Sequence, residues 1–395
     1  MNSKLLPLAR SPLNVLPMES GAFPRVHEAI SEALQQKVAP GFVLGIWSAR
    51  FPDQAWVGSW GARRTLPSEQ SMEVDTVFDL ASLTKVMGTA TLATALVERG
   101  WLSWEDPVRR YLPEIASPEI QVQHLAAHTA GYVAWEPLWE RMREEFGTGL
   151  ATAPISDRQE AMRRRVVPRA LDARPGERVL YSDFGFLNLG FLLEEICGVP
   201  LDQAVAEWVF RPMGLRSARY HRVQASPAED IHLDVAATEN CAWRGAVIQG
   251  QVHDDNCWTM GGYGGHAGVF ANIEDVLRFS RHWLSGYFAW PTVHQAWAEV
   301  ISPVGPMGAR RSRGWDMPSG LQAAAGPYFS SSGIGHLGFT GTSVWLDPSR
   351  GLAIALLSNR VHPSRENILI RSFRSKIHQI LEEEWSQFRS MARQA

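Results

Sequence analysis

Apolar residues recur at helical spacing after Pro24. Val26, Ile30, Ala33, Leu34 and Val38 share one face and predict an amphipathic helix. Two apolar runs follow, Phe42 to Trp47 and Ala55 to Trp60, with Pro52 and Asp53 between them as turn signals; both read as strands. From Ser82 the helical period returns, with Leu83, Val86, Ala90, Ala93 and Val97 on one face and Gly100 at the stop. Residues 101 to 264 read as helical and loop-rich, with helices from Asp183 to Ile196 and from Leu201 to Phe210 and a charged stretch from Trp135 to Arg178. Strand character returns late, where Thr342 to Leu346 and Leu352 to Ser358 flank the turn Asp347-Pro348-Ser349-Arg350-Gly351 as a hairpin. A last helix runs from about Glu366 to Trp385, with Ile370, Phe373, Ile377 and Ile380 on one face. Strands at both ends with helices between them predict an α+β fold: a mostly antiparallel sheet built from both termini, flanked by helices, with an inserted helical lobe. The expected organisation is an N-terminal tail over residues 1–20 and a single domain over 21–395. Its α/β lobe would take about 21–84 and 265–395, and its helical lobe about 85–264.

Composition narrows the function classes. Apolar residues make up 45% and charged residues 20% of 395, ordinary for a globular chain and wrong for a disordered one. A net charge of -3 lacks the basic excess of a nucleic-acid binder. Arg163-Arg164-Arg165 reads as a solvated helix face. No run of about 18 apolar residues predicts a membrane span. Cys197, Cys241 and Cys257 exclude a disulfide-built scaffold and leave room for at most one bridge. Pro7, Arg10 and Pro12 interrupt the apolar stretch that a secretory signal needs, so a cytoplasmic chain is expected. A precursor already stripped of its signal would read the same way, which leaves the periplasmic or secreted alternative open.

The basic residues carry a further clue. Among 38 of them only Lys4, Lys37, Lys85 and Lys376 are lysine. Lysine can lose its proton when buried, and arginine does not. Lys85 stands in Ser82-Leu83-Thr84-Lys85, where three residues are nearly one helical turn, so the amine lies above the Ser82 hydroxyl. A hydroxyl needs a base within hydrogen-bond reach to act as a nucleophile. Burial and the positive helix end would favour a neutral Lys85 able to serve as that base. Alone the motif is weak, since chance gives about 0.3 such matches in a chain with average serine usage; Ser82 as a helix cap and Lys85 as a surface residue is the plain alternative. Tyr181-Ser182-Asp183 lies on a loop at a helix start, where Tyr181 could share a proton relay and Asp183 could cap the helix. His336-Leu337-Gly338-Phe339-Thr340-Gly341 leads into the late hairpin, and its glycines let backbone pass close to a ligand. Gly341-Thr342-Ser343-Val344-Trp345 comes nearest to a hydrolase nucleophile elbow but ends in tryptophan within a strand.

In this order and at these separations the three elements resemble the serine β-lactamase and penicillin-binding-protein superfamily, with its Ser-x-x-Lys, Tyr-x-Asn and Lys/His-x-Gly motifs. The branch with class C β-lactamases, D-Ala-D-Ala carboxypeptidases and related esterases is the nearest. Phe78-Asp79-Leu80-Ala81 before Ser82, Gln123-His124-Leu125-Ala126-Ala127-His128-Thr129-Ala130-Gly131, and Gly268-Val269-Phe270 are similar to segments of that branch, and the resemblance covers roughly residues 24 to 385. It implies an acylated Ser82, a proton-transfer pair of Lys85 and Tyr181 with either as base, and an oxyanion hole from the N–H groups of Ser82 and Phe339. Substrate contacts are expected from His336, Gly338, Asp183 and Thr340. Two departures stand out. Position 183 is aspartate where the family often has asparagine, and a carboxylate there would oppose a neutral Lys85. Position 336 is histidine, only partly charged near pH 7, where lysine grips the carboxylate of β-lactams and of D-Ala-D-Ala ends.

Gln251-Val252-His253-Asp254-Asp255-Asn256 with Gly262 to Gly268 is similar to a subgroup linked to peptidoglycan turnover. The spacing of His253, Asp254 and His266 fits no familiar zinc pattern, so neither metal nor cofactor is expected and loop hydrogen bonding or substrate contact is the reading. Trp135, Trp139, Trp243 and Trp258 could wall a cleft or fill the core. The resemblance implies a hydrolase that cleaves an amide or ester through an acyl-serine, on peptidoglycan-derived peptides. A carboxylesterase for small acyl esters and a non-catalytic muropeptide-binding homologue are the alternatives. The partner would be a small-molecule or peptide substrate, a muropeptide, ester or β-lactam-like compound, with oligomeric state left open.

Overall fold

The structure, a computed structural model, describes residues 12–223, 234–286, 288–298, 310–319 and 324–391. Its central sheet contains β1 (Asn14–Pro17), β2 (Gly41–Ser48), β3 (Gln54–Arg64), β4 (Gln70–Ser71), β5 (Ile334–Leu337), β6 (Ser343–Asp347) and β7 (Leu352–Ser358). The order is β1-β3-β2-β7-β6-β5, with β4 added to β3; β1 runs parallel to β3 and the other pairs are antiparallel. Strands from the two ends of the chain meet at β2 and β7, the α+β arrangement that the pattern predicts.

Every residue of β2 is buried, because helices cover both faces of the sheet. Phe42, Leu44 and Ile46 pack with Val26, Ile30, Phe373, Ile377 and Trp385, which belong to α1 (Pro24–Gln35) and to the last helix, Ile370–Met391. Val43 and Trp47 join a second cluster with Leu83, Val86, Val276 and Leu277. That cluster continues into the helical region through Leu125, Met162, Phe186 and Leu189, so sheet face and helices share one core. Glu384 of the last helix accepts the Arg25 and Val26 N–H groups at 2.8 and 3.0 Å, which satisfies free donors at the start of α1.

Three details differ from expectation. Residues 14–17 of the expected tail form β1 along β3, with Leu13 and Met18 buried on either side of it. The helix after Ser82 is not uniform: Lys85–Ala90 is a wide π turn before α-helical Thr91–Glu98, and the Thr91 hydroxyl donates to the Val86 carbonyl at 2.6 Å. Such turns concentrate at functional sites. The pattern from Leu201 to Phe210 likewise divides into Leu201–Val205 and a π turn, Ala206–Phe210. The three cysteines are free thiols. No single helix among the described residues is long and apolar enough to cross a membrane.

Candidate active site

A cavity of about 620 Å³ opens between the β5 end of the sheet and the helical region, and Ser82, Tyr181, Asp183, His336, Gly338 and Phe339 all line it. Ser82 is placed by a braced turn. Phe78–Asp79 pairs with Val269–Ala271, and the Leu80 N–H donates to Val269 O at 3.0 Å. The Asp79 carboxylate accepts the Ala81 N–H at 2.8 Å and the His253 N–H at 2.7 Å. Ala81 is thereby held at φ 48°, a left-handed conformation that costs a non-glycine residue roughly 1–2 kcal/mol. The Ser82 and Phe339 N–H groups donate to no protein acceptor among the described residues.

Lys85 is fully buried beneath Ser82. Its Nζ donates to Ser82 Oγ and to the His266 carbonyl, each at 3.0 Å, and lies 2.7 Å from Asp183 Oδ1. Burial alone favours the neutral amine, but the Asp183 carboxylate, and Tyr181 after it, outweigh burial and raise the ammonium above the ordinary lysine value. The expectation of a neutral resting Lys85 is corrected: it is a charged group at rest, held by the aspartate that replaces the usual asparagine. Tyr181 interacts with both Lys85 and Ser82, and its burial keeps the phenol protonated above its ordinary value, with Lys85 pulling the other way.

The Tyr181 loop is strapped to the segment around His128. The Ser182 N–H donates to His128 Nδ1 at 3.0 Å, the Ser182 hydroxyl to Val133 O at 2.6 Å, and the Asp183 N–H to Ala134 O at 3.0 Å. Ser182, not Asp183, precedes the first turn of Asp183–Cys197, which leaves Asp183 free to pair with Lys85. Gly131 sits at φ 91°, and a Cβ there would meet Ala173 O at 2.1 Å; only glycine lets the two loops touch. His128 packs on the Tyr181 ring at 4.5 Å, His336 at 5.9 Å, and the Arg311 guanidinium lies 5.3 Å from its centroid.

His336 is buried, and desolvation, then Lys85 and Arg311, hold its pKa well below the ordinary value, so it is neutral rather than partly charged. Its Nδ1 contacts Leu337 O at 2.9 Å and its Nε2 has no partner among the described residues. Thr340 does not line the cavity. Its hydroxyl turns inward, donates to Asp79 O at 2.7 Å and braces the turn that carries Ser82. His266 pairs with Asp254 at 3.0 Å and His253 with Glu239 at 3.2 Å, the loop hydrogen bonding considered for these residues. Among the described residues no group of three or more His, Cys, Asp or Glu is placed to hold a metal ion. Of the four tryptophans only Trp135 reaches the cavity. Trp139 and Trp243 stack on each other at 5.0 Å, and Trp258 meets Trp243 edge-on. Arg311, Arg360, Arg371 and Arg374 line the cleft, and no sequence signal singled them out because they are scattered over 64 positions of the chain.

A helix-covered mixed sheet whose edge meets a serine, lysine and tyrosine in a cleft defines the β-lactamase/transpeptidase fold. The chain belongs to the Beta-lactamase family, whose model matches residues 26–376. It is 28% identical over 336 residues to the "Putative D-alanyl-D-alanine carboxypeptidase" of Escherichia coli (strain K12), covering 77% of this chain and 75% of that one. The solved structure of EstCE1, a hydrolase with promiscuous acyltransferase activity, has the same fold at TM-score 0.70 and 20% identity, over 92% of this chain and 98% of the other. The octameric penicillin-binding protein homologue from Pyrococcus abyssi matches at TM-score 0.66 and 19% identity, over 88% of this chain and 75% of the other.

Proposed function

We propose that this chain is a serine hydrolase that cleaves an amide or ester bond through an acyl-Ser82 intermediate, acting on peptidoglycan-derived peptides as a carboxypeptidase or amidase. The observation that carries it is the Lys85 amine 3.0 Å from the Ser82 hydroxyl, with Tyr181 contacting both at the floor of an open cleft. Ser82 Oγ bonds to the substrate carbonyl carbon while its proton passes to the Lys85–Tyr181 pair. The oxyanion is held by the N–H groups of Ser82 and Phe339. Collapse breaks the bond to the leaving group, which takes the proton from the pair. Water, deprotonated by the same pair, then releases the acid and restores the hydroxyl. Both members of the pair are protonated at rest, so one proton must leave before attack, and kcat/KM is expected to climb from neutral toward alkaline pH.

The name of the Escherichia coli relative supports the peptide substrate. A carboxylesterase for small acyl esters is the second reading, favoured by a neutral His336 that supplies no charge for a substrate carboxylate. A non-catalytic binder finds no support in a site whose nucleophile, amine and phenol are all in contact. The test is a fluorescent phosphonate followed by intact mass, then turnover of defined muropeptides ending in D-Ala-D-Ala, p-nitrophenyl esters and nitrocefin. One adduct, lost in Ser82→Ala, with muropeptide turnover is the expected result. A folded protein that forms no adduct overturns the reading, and adduct with ester turnover alone selects the esterase.

A further inference from the structure

The run His253-Asp254-Asp255-Asn256 takes no part in the proposed proton transfer, yet each of its side chains fastens a different element. Asp254 Oδ1 accepts the Cys257 N–H at 2.7 Å and lies 3.0 Å from His266 Nε2. Asp255 is held by Arg244 at 2.6 Å and by Arg365 at 3.1 Å. Asn256 accepts the Trp139 N–H at 2.8 Å and donates to Glu136 O at 2.9 Å. His253 differs from these three, because its two ends lead to the two N–H groups proposed for the oxyanion.

The backbone end leads to Ser82. The His253 N–H donates to one oxygen of the Asp79 carboxylate at 2.7 Å, and the other oxygen accepts the Ala81 N–H at 2.8 Å. Burial raises the proton affinity of Asp79, and the His253 N–H leads the interactions that oppose this. The carboxylate so placed holds Ala81 at φ 48°, one residue before Ser82. The ring end leads to Phe339. The His253 and Phe339 rings lie with centroids 5.7 Å apart and planes 18° apart, and no other aromatic ring among the described residues packs on Phe339. The His253 ring is itself anchored, with Nε2 3.2 Å from Glu239 Oε2. Burial would raise the Glu239 pKa, but His253 and Arg365 hold it to about 2, so Glu239 is ionised and Nε2 carries the proton. Arg365 Nε lies 2.9 and 2.7 Å from the two Glu239 oxygens. Thr340 and Thr342 also tie this strand to the turn, through Asp79 O at 2.7 Å and Leu80 O at 3.1 Å, but both act beyond Phe339 and leave its ring to its neighbours. Oxyanion donors stabilise a transition state only when their positions are fixed beforehand.

We propose that His253 is a positioning residue that fixes the spacing of the two oxyanion donors, through Asp79 for the Ser82 N–H and through ring stacking for the Phe339 N–H. This rests on the serine hydrolase reading, and the experiment keeps the two failures apart. Native protein, His253→Leu and His253→Phe are compared in kcat and KM on p-nitrophenyl acetate and on its thionoester, in which sulfur replaces the carbonyl oxygen, with thermal unfolding as the check on folding. Leucine removes the ring, whereas phenylalanine keeps it and gives up only the Glu239 contact. His253→Leu should lower kcat on the oxygen ester about tenfold at unchanged KM, a part of what outright removal of one oxyanion donor costs. Sulfur is a weak acceptor, so the thionoester should lose less and the preference for the oxygen ester should shrink about fivefold. His253→Phe should recover most of both. A merely structural role would lower both esters alike. If His253→Leu does not fold, Glu239→Gln replaces it and should shrink the same preference about threefold by loosening the ring. The rate of fluorescent phosphonate labelling, in which a phosphoryl oxygen enters the same donors, should follow kcat and gives the result if neither ester is turned over. Rates and preference unchanged, a loss carried by KM, or a loss that His253→Phe does not recover overturns the positioning role and leaves the hydrolase standing. A native protein that cleaves neither ester and takes no phosphonate removes the hydrolase reading, and the inference falls with it.

Discussion

The floor and the rim of the cleft treat charge in opposite ways. At the floor one ammonium meets one carboxylate, and a phenol and a hydroxyl complete the set, so a proton can move among them with little net change of charge. At the rim Arg360, Arg371 and Arg374 line the cavity, and no carboxylate among the described residues pairs with them. Matched charge at the floor suits proton transfer; at the rim Arg360 and Arg374 give their donors to backbone carbonyls. The largest effect should come from breaking the floor. Lys85→Arg keeps a positive group against Asp183 but cannot give a neutral amine. It should lower kcat by roughly a thousandfold, within the range for loss of a general base. Measured kcat of a variant whose thermal unfolding is unchanged checks this, and retained turnover would remove lysine from the mechanism.

Gly338 joins the two regions. Its carbonyl accepts from Arg374 of the rim, and the N–H proposed for the oxyanion belongs to Phe339 next to it. A Cβ at 338 would meet Thr342 Oγ1 at 2.0 Å and Leu80 O at 2.6 Å, so the strand must shift away from the nucleophile turn. Gly338→Ala should therefore cost about a hundredfold in kcat/KM, the usual scale for ångström misplacement of a catalytic donor. Both anionic and neutral substrates should suffer. Loss confined to anionic substrates would place Gly338 at the rim alone.

Legibility in the sequence follows the range of the interactions. Ser82 and Lys85 are one helical turn apart, so their contact can be read locally. The β6–β7 hairpin is announced by its turn, and β2 by an apolar run that needs cover on both faces. Strand β1 could not be read, because four residues ending in proline gain strand geometry only from the edge of β3. Thr340 belongs to a recognisable motif, but whether its hydroxyl faces substrate or Asp79 depends on a segment 261 residues away. The arginines teach the same lesson. Arg163-Arg164-Arg165 is the conspicuous run, and in the fold Glu195 and Glu145 pair with it. Arg360, Arg371 and Arg374 form no run, and they converge only through the packing of the last helix.

Asp183→Asn sharpens the comparison by removing the floor's carboxylate. Without it Lys85 loses the partner that raises its proton affinity, so the free amine appears at lower pH. The rising limb of the kcat/KM profile should move down by ~1 pH unit or more, which gives about tenfold higher turnover near pH 7. The native ion pair stabilises the fold below the ordinary lysine pKa, and that contribution is lost only as pH rises through the raised value. The variant should therefore melt lower than the native protein at pH 7, with the gap closing at high alkaline pH. A profile that does not move would mean that Asp183 leaves the proton on Lys85 unaffected.

The smallest effect belongs to Thr340→Val, which separates bracing from substrate contact at the edge of the floor. Valine keeps the shape and removes one hydrogen bond to Asp79 O, leaving that carbonyl unpaired by this donor. A buried neutral bond contributes roughly 0.5–1.5 kcal/mol. If the whole of this falls on the placement of Ala81 and Ser82, kcat drops about two- to tenfold, and KM for anionic and neutral substrates stays unchanged. A residue that touched substrate would instead raise KM, and would do so unevenly between anionic and neutral substrates. Steady-state kinetics on mono-p-nitrophenyl glutarate against p-nitrophenyl valerate decides this, because Thr340 is buried beneath the Ser82 turn and should be blind to the charge of what lies above it.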